Sequence, residues 1–304
     1  YNTGTRKIYT DDSAGSVDYD SGQICFGPVN IIGTGSNLPP STPTNITARP
    51  ATVITSQSKT SSTQTLSGLT GVDTSGVQNG YTLVYDSTTG NDNTGVGYNV
   101  LQNNTTGSNN SALGVAALGA NTTGAQNTAM GYEAASSCST TNYHTCIGFR
   151  AGRDITTGEG NTYIGHHAGL QTTQSSHNVA IGRNSLSLGT DGIQENVAVG
   201  YATLYSNTNG DYCVAVGSHA GNATTSAQYN NFIGNRAGSL TTSGGRNNVL
   251  GNHAFVDNTT GTNNTAVGRN AMAANTTGFE NTGIGRNSLD ANTTGSYNTS
   301  MGVN

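Results

Sequence analysis

The chain has 304 residues and a formal net charge of −5, and only 9% of its residues are charged. It contains no basic run typical of nucleic-acid binding and no stretch of 18 apolar residues typical of a transmembrane helix. Low charge and only five prolines argue against simple disorder. The 43 glycines among abundant Asn, Thr and Ser favour a repeat protein with a small core.

The first third of the chain has no regular period. Residues 1–32 are predicted to be a β-rich attachment segment, because GSVDYDSGQICFGPVNII (residues 15–32) alternates around a turn near Asp20. Residues 33–65 are predicted to be a linker rich in Pro, Ser and Thr, since all five prolines lie between Pro28 and Pro50.

Residues 66–92 are predicted to connect this region to the repeats. They include LSGLTGVDTSGVQNGYTLVYDSTTGN (residues 66–91), in which Gly80 indicates a turn and YTLVYD indicates a strand. We expect this strand to start the sheet on which the repeats are built.

Residues 93–304 repeat around a glycine that follows an aliphatic residue, here called the register glycine. Eleven of the twelve spacings between register glycines are 17 residues and one is 18, with the extra residue assigned after Gly192. The predicted fold is all-β, a parallel β-solenoid of about 12–13 coils. Each coil is expected to contain two short strands, N-T-A-V-G and x-x-A-L, and a turn of the type NTTG.

Two columns of the repeat are assigned structural roles. The residue before each register glycine is aliphatic in all thirteen units and is predicted to fill the core. This aliphatic column contains Val96, Leu113, Met130, Ile147, Ile164, Ile181, Val199, Val216, Ile233, Leu250, Val267, Ile284 and Met301. Three residues earlier, asparagine is expected to form a ladder of side-chain amides from coil to coil. The ladder column contains Asn93, Asn110, Asn127, Asn161, Asn178, Asn196, Asn230, Asn247, Asn264, Asn281 and Asn298, with His144 and Cys213 in the two remaining units.

A second apolar column lies four residues after the register glycine. Because a 17-residue coil is thin, its own core looks too small for an isolated rod, and this column is predicted to pack against partner chains. It contains Leu101, Leu118, Leu186, Leu204, Phe255, Met272 and Leu289.

No catalytic, metal-binding or cofactor-binding residues are predicted, and the chain is not expected to be an enzyme. A glycosidase needs a pair of carboxylates in a cleft, and Asp154 and Glu159 are the nearest approach to a pair. The side chains of His166 and His167 are predicted to point to opposite faces. The column two residues after the register glycine, which contains Arg150, His167, His219, Arg236 and His253, is predicted to be an exposed polar column.

The four cysteines match no zinc spacing. A pair between Cys138 and Cys146 is left open as an alternative, but free or incidental thiols are expected.

Exposed aromatic residues leave a carbohydrate-binding face open as an alternative. Tyr98, Tyr132, Phe149 and Tyr201 share the column directly after the register glycine. Other units carry non-aromatic residues there, so the sequence does not locate a binding site.

The repeats also resemble a known family. The string N-T-A-[VI]-G-x-x-A over residues 93–304 resembles the head repeats of YadA-type trimeric autotransporter adhesins, and similar strings occur in phage tail-fibre proteins. This resemblance implies a left-handed parallel β-roll that assembles as a homotrimer. Residues 66–91 are similar to a segment found in tail-fibre and baseplate-associated proteins of tailed phages.

These resemblances imply a structural virion protein, a tail fibre or a baseplate- or tail-attached appendage located outside the cell. It is expected to form a stiff trimeric shaft or head, to contact a host surface glycan or protein, and to bind other tail or baseplate proteins through its N-terminal region. A bacterial trimeric surface adhesin is the first alternative, and a polysaccharide-degrading tailspike is the second. No cofactor, nucleic-acid partner or membrane insertion is expected.

Overall fold

A computed structural model describes residues 7–10, 13–16, 81–86, 92–189 and 192–303. The chain divides into two compact units, Tyr1–Ser58 and Lys59–Asn304. In the first unit, β1 (Lys7–Thr10) and β2 (Ser13–Ser16) pair in antiparallel fashion. The predicted hairpin at residues 15–32 and the predicted linker lie almost entirely outside the described residues.

The second unit is a parallel β-solenoid, as the 17-residue period predicts. Its sheet begins with β3 (Tyr81–Asp86), which pairs antiparallel with β4 (Asn93–Tyr98) and confirms the predicted connector strand. From β4 onward, each strand pairs in parallel with the next. The remaining strands are β5 (Ser111–Leu113), β6 (Thr128–Met130), β7 (Thr145–Ile147), β8 (Thr162–Ile164), β9 (Val179–Ile181), β10 (Val197–Val199), β11 (Val214–Val216), β12 (Asn231–Ile233), β13 (Asn248–Leu250), β14 (Thr265–Val267), β15 (Thr282–Ile284) and β16 (Thr299–Met301).

The pairing register follows the sequence period with one exception. Ala198 pairs with Ala215, 17 residues later, whereas Ala180 pairs with Ala198, 18 residues later. The Asn178 amide donates to the carbonyl of Ile193, 15 residues on, where most ladder amides reach a carbonyl 14 residues on. The shift is already present at Ile193, so the extra residue precedes Ile193. The prediction that it follows Gly192 was wrong.

Each coil contains one short strand and not two. The predicted second strand is a tight turn, in which Ala116 and Leu118 have φ angles of 55° and 49°. These left-handed conformations are incompatible with an extended strand. The turn still joins the coils, because the Leu118 N–H donates to the carbonyl of Ala134 in the next coil at 3.1 Å.

The register glycine is required by its close contact with the next coil. Gly114 has a φ of 130°, and a Cβ atom there would lie 2.5 Å from the carbonyl oxygen of Gly131. An L-residue at this position would be both strained and in collision with backbone. The recurring register glycines therefore allow the backbones of neighbouring coils to approach this closely.

The NTTG segments form the predicted turns. In one of them, Asn258 Oδ1 accepts a hydrogen bond from the Gly261 N–H at 3.0 Å, which closes the turn locally. The Thr259 hydroxyl donates to the carbonyl of Thr276 at 3.0 Å, which links this turn to the next one. Repeated turn chemistry therefore explains the recurring Asn-Thr-Thr string.

Two columns fill the interior of the solenoid: the middle strand residue and the turn residue four positions after the register glycine. Where one of them is large, the other is usually small. In most coils the middle strand residue is small, such as Ala112, and a large residue such as Leu118 fills the space from the turn. Phe232 is a large, fully buried middle strand residue, and its ring lies against two glycines of the turn column, Gly221 and Gly238. Close packing requires this compensation, because a Cβ atom at Gly238 would already overlap the Phe232 ring.

Candidate functional site

The aliphatic column does not fill the core, so this prediction was wrong. Each three-residue strand alternates outward, inward, outward, and the residue before the register glycine points outward. Leu113 and Leu250 are 49% and 50% exposed. The exposed members are Val96, Leu113, Met130, Ile181, Val216, Ile233, Leu250 and Met301, and the half-buried members are Ile147, Ile164, Val199, Val267 and Ile284.

The second apolar column lies inside the coil and not against partner chains, so this prediction was also wrong. Leu118, Leu186, Leu204, Phe255 and Met272 are fully buried within the single chain. Their left-handed φ angles turn these side chains toward the coil interior. The sequence pattern identified two apolar columns correctly but exchanged their roles.

The aliphatic column and the other outward strand position together form one continuous surface, here called the aliphatic face. The second position, three residues before the register glycine, carries Thr, Ser, Val or Asn, as at Thr128, Val197 and Asn248. Neither column contains a charged residue. Twelve steps of ~4.8 Å give this uncharged face a length of about 58 Å.

The asparagine column forms a ladder of the kind its spacing predicts, and it is buried except at its last member, Asn298. Asn93 Oδ1 accepts hydrogen bonds from the Asn110 backbone N–H at 2.9 Å and from Asn110 Nδ2 at 3.0 Å. Asn110 Nδ2 also donates to the carbonyl of Gly124 at 2.8 Å. Each rung thus satisfies backbone groups of two coils that would otherwise be buried without partners.

His144 replaces asparagine in the ladder by using both ring nitrogens. Its Nδ1 accepts from the Asn161 N–H at 3.2 Å, so Nε2 carries the hydrogen and donates to the carbonyl of Gly158 at 3.0 Å. Burial lowers the pKa of His144 to about 4, with smaller opposing effects from Gly158 and Glu159. The ladder therefore contains one neutral histidine that mimics an asparagine amide.

The described cysteines are free, as predicted, and they are also buried. Cys213 occupies the other non-asparagine rung, and its Sγ donates to the carbonyl of Ala227 at 3.3 Å. Burial raises the pKa of Cys138 to about 12, and it also raises the pKa values of Cys146 and Cys213. These thiols are poor nucleophiles, because the thiolate is the reactive form. Cys25 lies outside the described residues.

The acidic residues singled out by the sequence have separate partners. Asp154 Oδ1 accepts from Arg153 Nε at 2.7 Å, whereas Glu159 Oε1 accepts from Asn142 Nδ2 at 3.1 Å. Among the described residues, no group of three or more His, Cys, Asp or Glu side chains is placed to hold a metal ion.

The side chains of His166 and His167 lie side by side, contrary to the prediction that they point to opposite faces. Their ring centroids are 3.9 Å apart. His167 has a φ of 58°, so the alternation of an extended strand does not apply to this dipeptide. Desolvation, followed by the effects of His166 and nearby arginines, lowers the pKa of His167.

Aromatic residues after the register glycine stack between coils. The rings of Tyr132 and Phe149 are stacked with centroids 5.2 Å apart, and His166 continues the stack at 5.1 Å. The guanidinium carbon of Arg150 lies 5.0 Å from the centroid of Phe149. Because stacking covers the ring faces, mainly the ring edges remain for a ligand.

In the described ranges, no helix has the length and apolar character needed to cross a bilayer. Comparison with family models, with curated proteins and with solved structures found no match for this chain.

Proposed function

We propose that this chain is a structural subunit of a tailed-phage virion, a tail fibre or a baseplate- or tail-attached appendage, in which three copies associate along the aliphatic face. The observation that carries the proposal is the exposure of the aliphatic column in the single chain. Contiguous apolar patches of more than a few hundred Å² mark interaction surfaces. The eight exposed members of the aliphatic column, with five half-buried members between them, form one contiguous apolar strip.

A second copy of the same chain is the partner that fits this face best. The face is uncharged, and its strand residues pair in register from one coil to the next. If two parallel copies align at the same height, each residue of one face therefore lies opposite the same residue of the other. Apolar burial stabilises such a contact by roughly 25 cal/mol per Å². The number three comes from the resemblance to trimeric head repeats.

The proposed role is mechanical. Backbone hydrogen bonds and buried amide rungs join every coil to the next, and stability in such arrays is approximately the sum of neighbour contacts. A long uninterrupted array therefore resists local opening and serves as a shaft or head. We assign attachment to other tail or baseplate proteins to the N-terminal region, and contact with the host envelope to the exposed columns of the solenoid.

Native mass spectrometry tests the assembly directly. A particle of three chains of 30.9 kDa each supports the proposal. A monomer or a dimer at micromolar concentration overturns the trimer. Immunogold labelling with an antibody against the solenoid then tests the location: labelled phage tails support the virion role, and labelled bacterial surfaces favour the adhesin alternative.

A further inference from the structure

One corner of the solenoid concentrates positive charge in a protein whose net charge is −5. The corner consists of the two columns that directly follow the register glycine, and we call it the basic edge. Its arginines are Arg150, Arg183, Arg236, Arg269 and Arg286. Histidines occupy the same columns at His166, His167, His219 and His253.

Acidic residues are nearly absent from the basic edge. Glu133 is the single acidic residue in the two columns between residues 98 and 287, and it pairs with Arg150 at 2.7 Å. The other described acidic residues of the solenoid, such as Glu159, Asp211 and Glu280, lie in other columns. Charge is therefore segregated by column, so the basic edge presents a positive strip along the sheet direction.

Four of the five edge arginines have no carboxylate partner. Arg183, Arg236, Arg269 and Arg286 are exposed, and no carboxylate oxygen of a described residue lies within ion-pair distance of them. Arg183 lies over the ring of Tyr201 at 5.7 Å, which leaves its N–H groups free to donate outward. Guanidinium groups without partners are suited to sulfate, phosphate and carboxylate groups.

The spacing of the arginines suits a thin polymer with widely spaced charges. From Arg150 to Arg286 the edge spans eight coil steps, about 38 Å at ~4.8 Å per step. Five arginines over that length are far fewer than the phosphate charges of duplex DNA, which carries one charge per roughly 1.7 Å. The edge therefore matches the charge density of duplex DNA poorly. The intervening positions include Asn235, Asn252 and Asn270, and amides are uncharged groups that can donate to and accept from sugar hydroxyls.

We infer that the basic edge binds an extended acidic polysaccharide, with arginines contacting its anionic groups and asparagines contacting its hydroxyls. This inference rests on the proposed function in one respect: the polysaccharide would be the host-surface ligand that the proposed appendage contacts. The binding itself is a property of each chain. The competing partner for these arginines is the acidic surface of a neighbouring copy.

Two double variants test the inference with matched loss of charge. The edge variant is Arg269→Gln with Arg286→Gln, and the control is Arg153→Gln with Arg246→Gln, which removes two arginines from other columns. Binding of the intact protein is measured to hyaluronan, which carries one carboxylate per disaccharide, to alginate, to neutral dextran and to duplex DNA. Each measurement is made at low and at high salt.

The native protein is expected to bind hyaluronan and alginate but not dextran, with affinity falling as salt screens the charges. The edge variant is expected to bind at least about fivefold more weakly, whereas the control changes less than about twofold. Equal losses in both variants, or no native binding to either acidic polysaccharide, would overturn the inference. Tighter binding to duplex DNA would show that the ligand class is wrong.

Native mass separates this inference from the proposed assembly. If the edge variant dissociates while the control does not, the arginines join neighbouring copies and the inference fails. If the native protein is monomeric yet binds hyaluronan through the edge, the assembly proposal fails and the inference stands.

Discussion

His144 Nε2 lies 3.0 Å from the carbonyl oxygen of Gly158 and donates a hydrogen bond to it, as an asparagine amide does in most other coils. This bond and the acceptor role of Nδ1 both use the neutral ring. Protonation would place a charge inside the coil and a hydrogen where the Asn161 N–H already points. The rung is therefore sensitive to acid.

We expect acid to destabilise the native protein more than the His144→Asn variant. The folded-state pKa of about 4 lies below the ordinary value of 6.5, so the unfolded chain binds the proton more readily. The contribution of the neutral His144 ring to the free energy of unfolding is complete above about pH 6.5. It is lost as the pH falls toward 4, by about 3 kcal/mol in total. Thermal unfolding at pH 7 and pH 4.5 measures the effect. Equal decreases in Tm for both proteins would contradict it.

The asparagine ladder predicts a large penalty for removing one rung. Asn247 donates to the carbonyl of Gly261 at 2.9 Å, and its Oδ1 accepts from the Asn264 N–H at 3.0 Å. The Asn247→Ala change leaves both buried backbone groups without partners, so we expect a loss of about 2–4 kcal/mol. Asn252→Ala, at an exposed position, is the control and should change stability by less than about 0.5 kcal/mol. Chemical denaturation compares them, and similar midpoints would refute a structural role for the ladder.

The period, the strand position and the ladder were predictable from the sequence, because each depends on residues that recur in a fixed column. Which of these side chains face the coil interior and which face outward was not predictable in the same way. Alternation in a three-residue strand puts Ala112 inside and Leu113 outside, although hydrophobicity alone favours the reverse. In a narrow coil, small residues in a strand indicate the interior, and that was the available signal. The left-handed φ of Leu118 has no such signal, since leucine rarely adopts it.

Phe232 fills the space that a larger residue at Gly238 would occupy. The effects of substitutions at these two positions on the free energy of unfolding are therefore expected to be non-additive. Phe232→Ala leaves a cavity and should cost about 3–5 kcal/mol. Gly238→Leu alone should also destabilise strongly, because a Cβ at Gly238 already collides with the Phe232 ring. The double variant restores the Ala-and-Leu pairing found at Ala112 and Leu118, so part of the loss should be recovered. A double-mutant cycle measured by denaturation gives the coupling. A coupling of zero would show that the two sites pack independently.

The aliphatic face predicts different outcomes for two equally exposed leucines. Leu250 lies on the face and is 50% exposed in the single chain, whereas Leu240 lies outside both of its columns and is 49% exposed. A surface substitution in an isolated chain usually changes stability by less than about 0.5 kcal/mol, so Leu240→Asp should leave mass and Tm nearly unchanged. If copies cover the face, Leu250→Asp buries a carboxylate against apolar side chains and should dissociate the assembly. Light scattering over a concentration series measures the mass of each variant. Identical behaviour of the two variants would mean that the aliphatic face stays open to solvent.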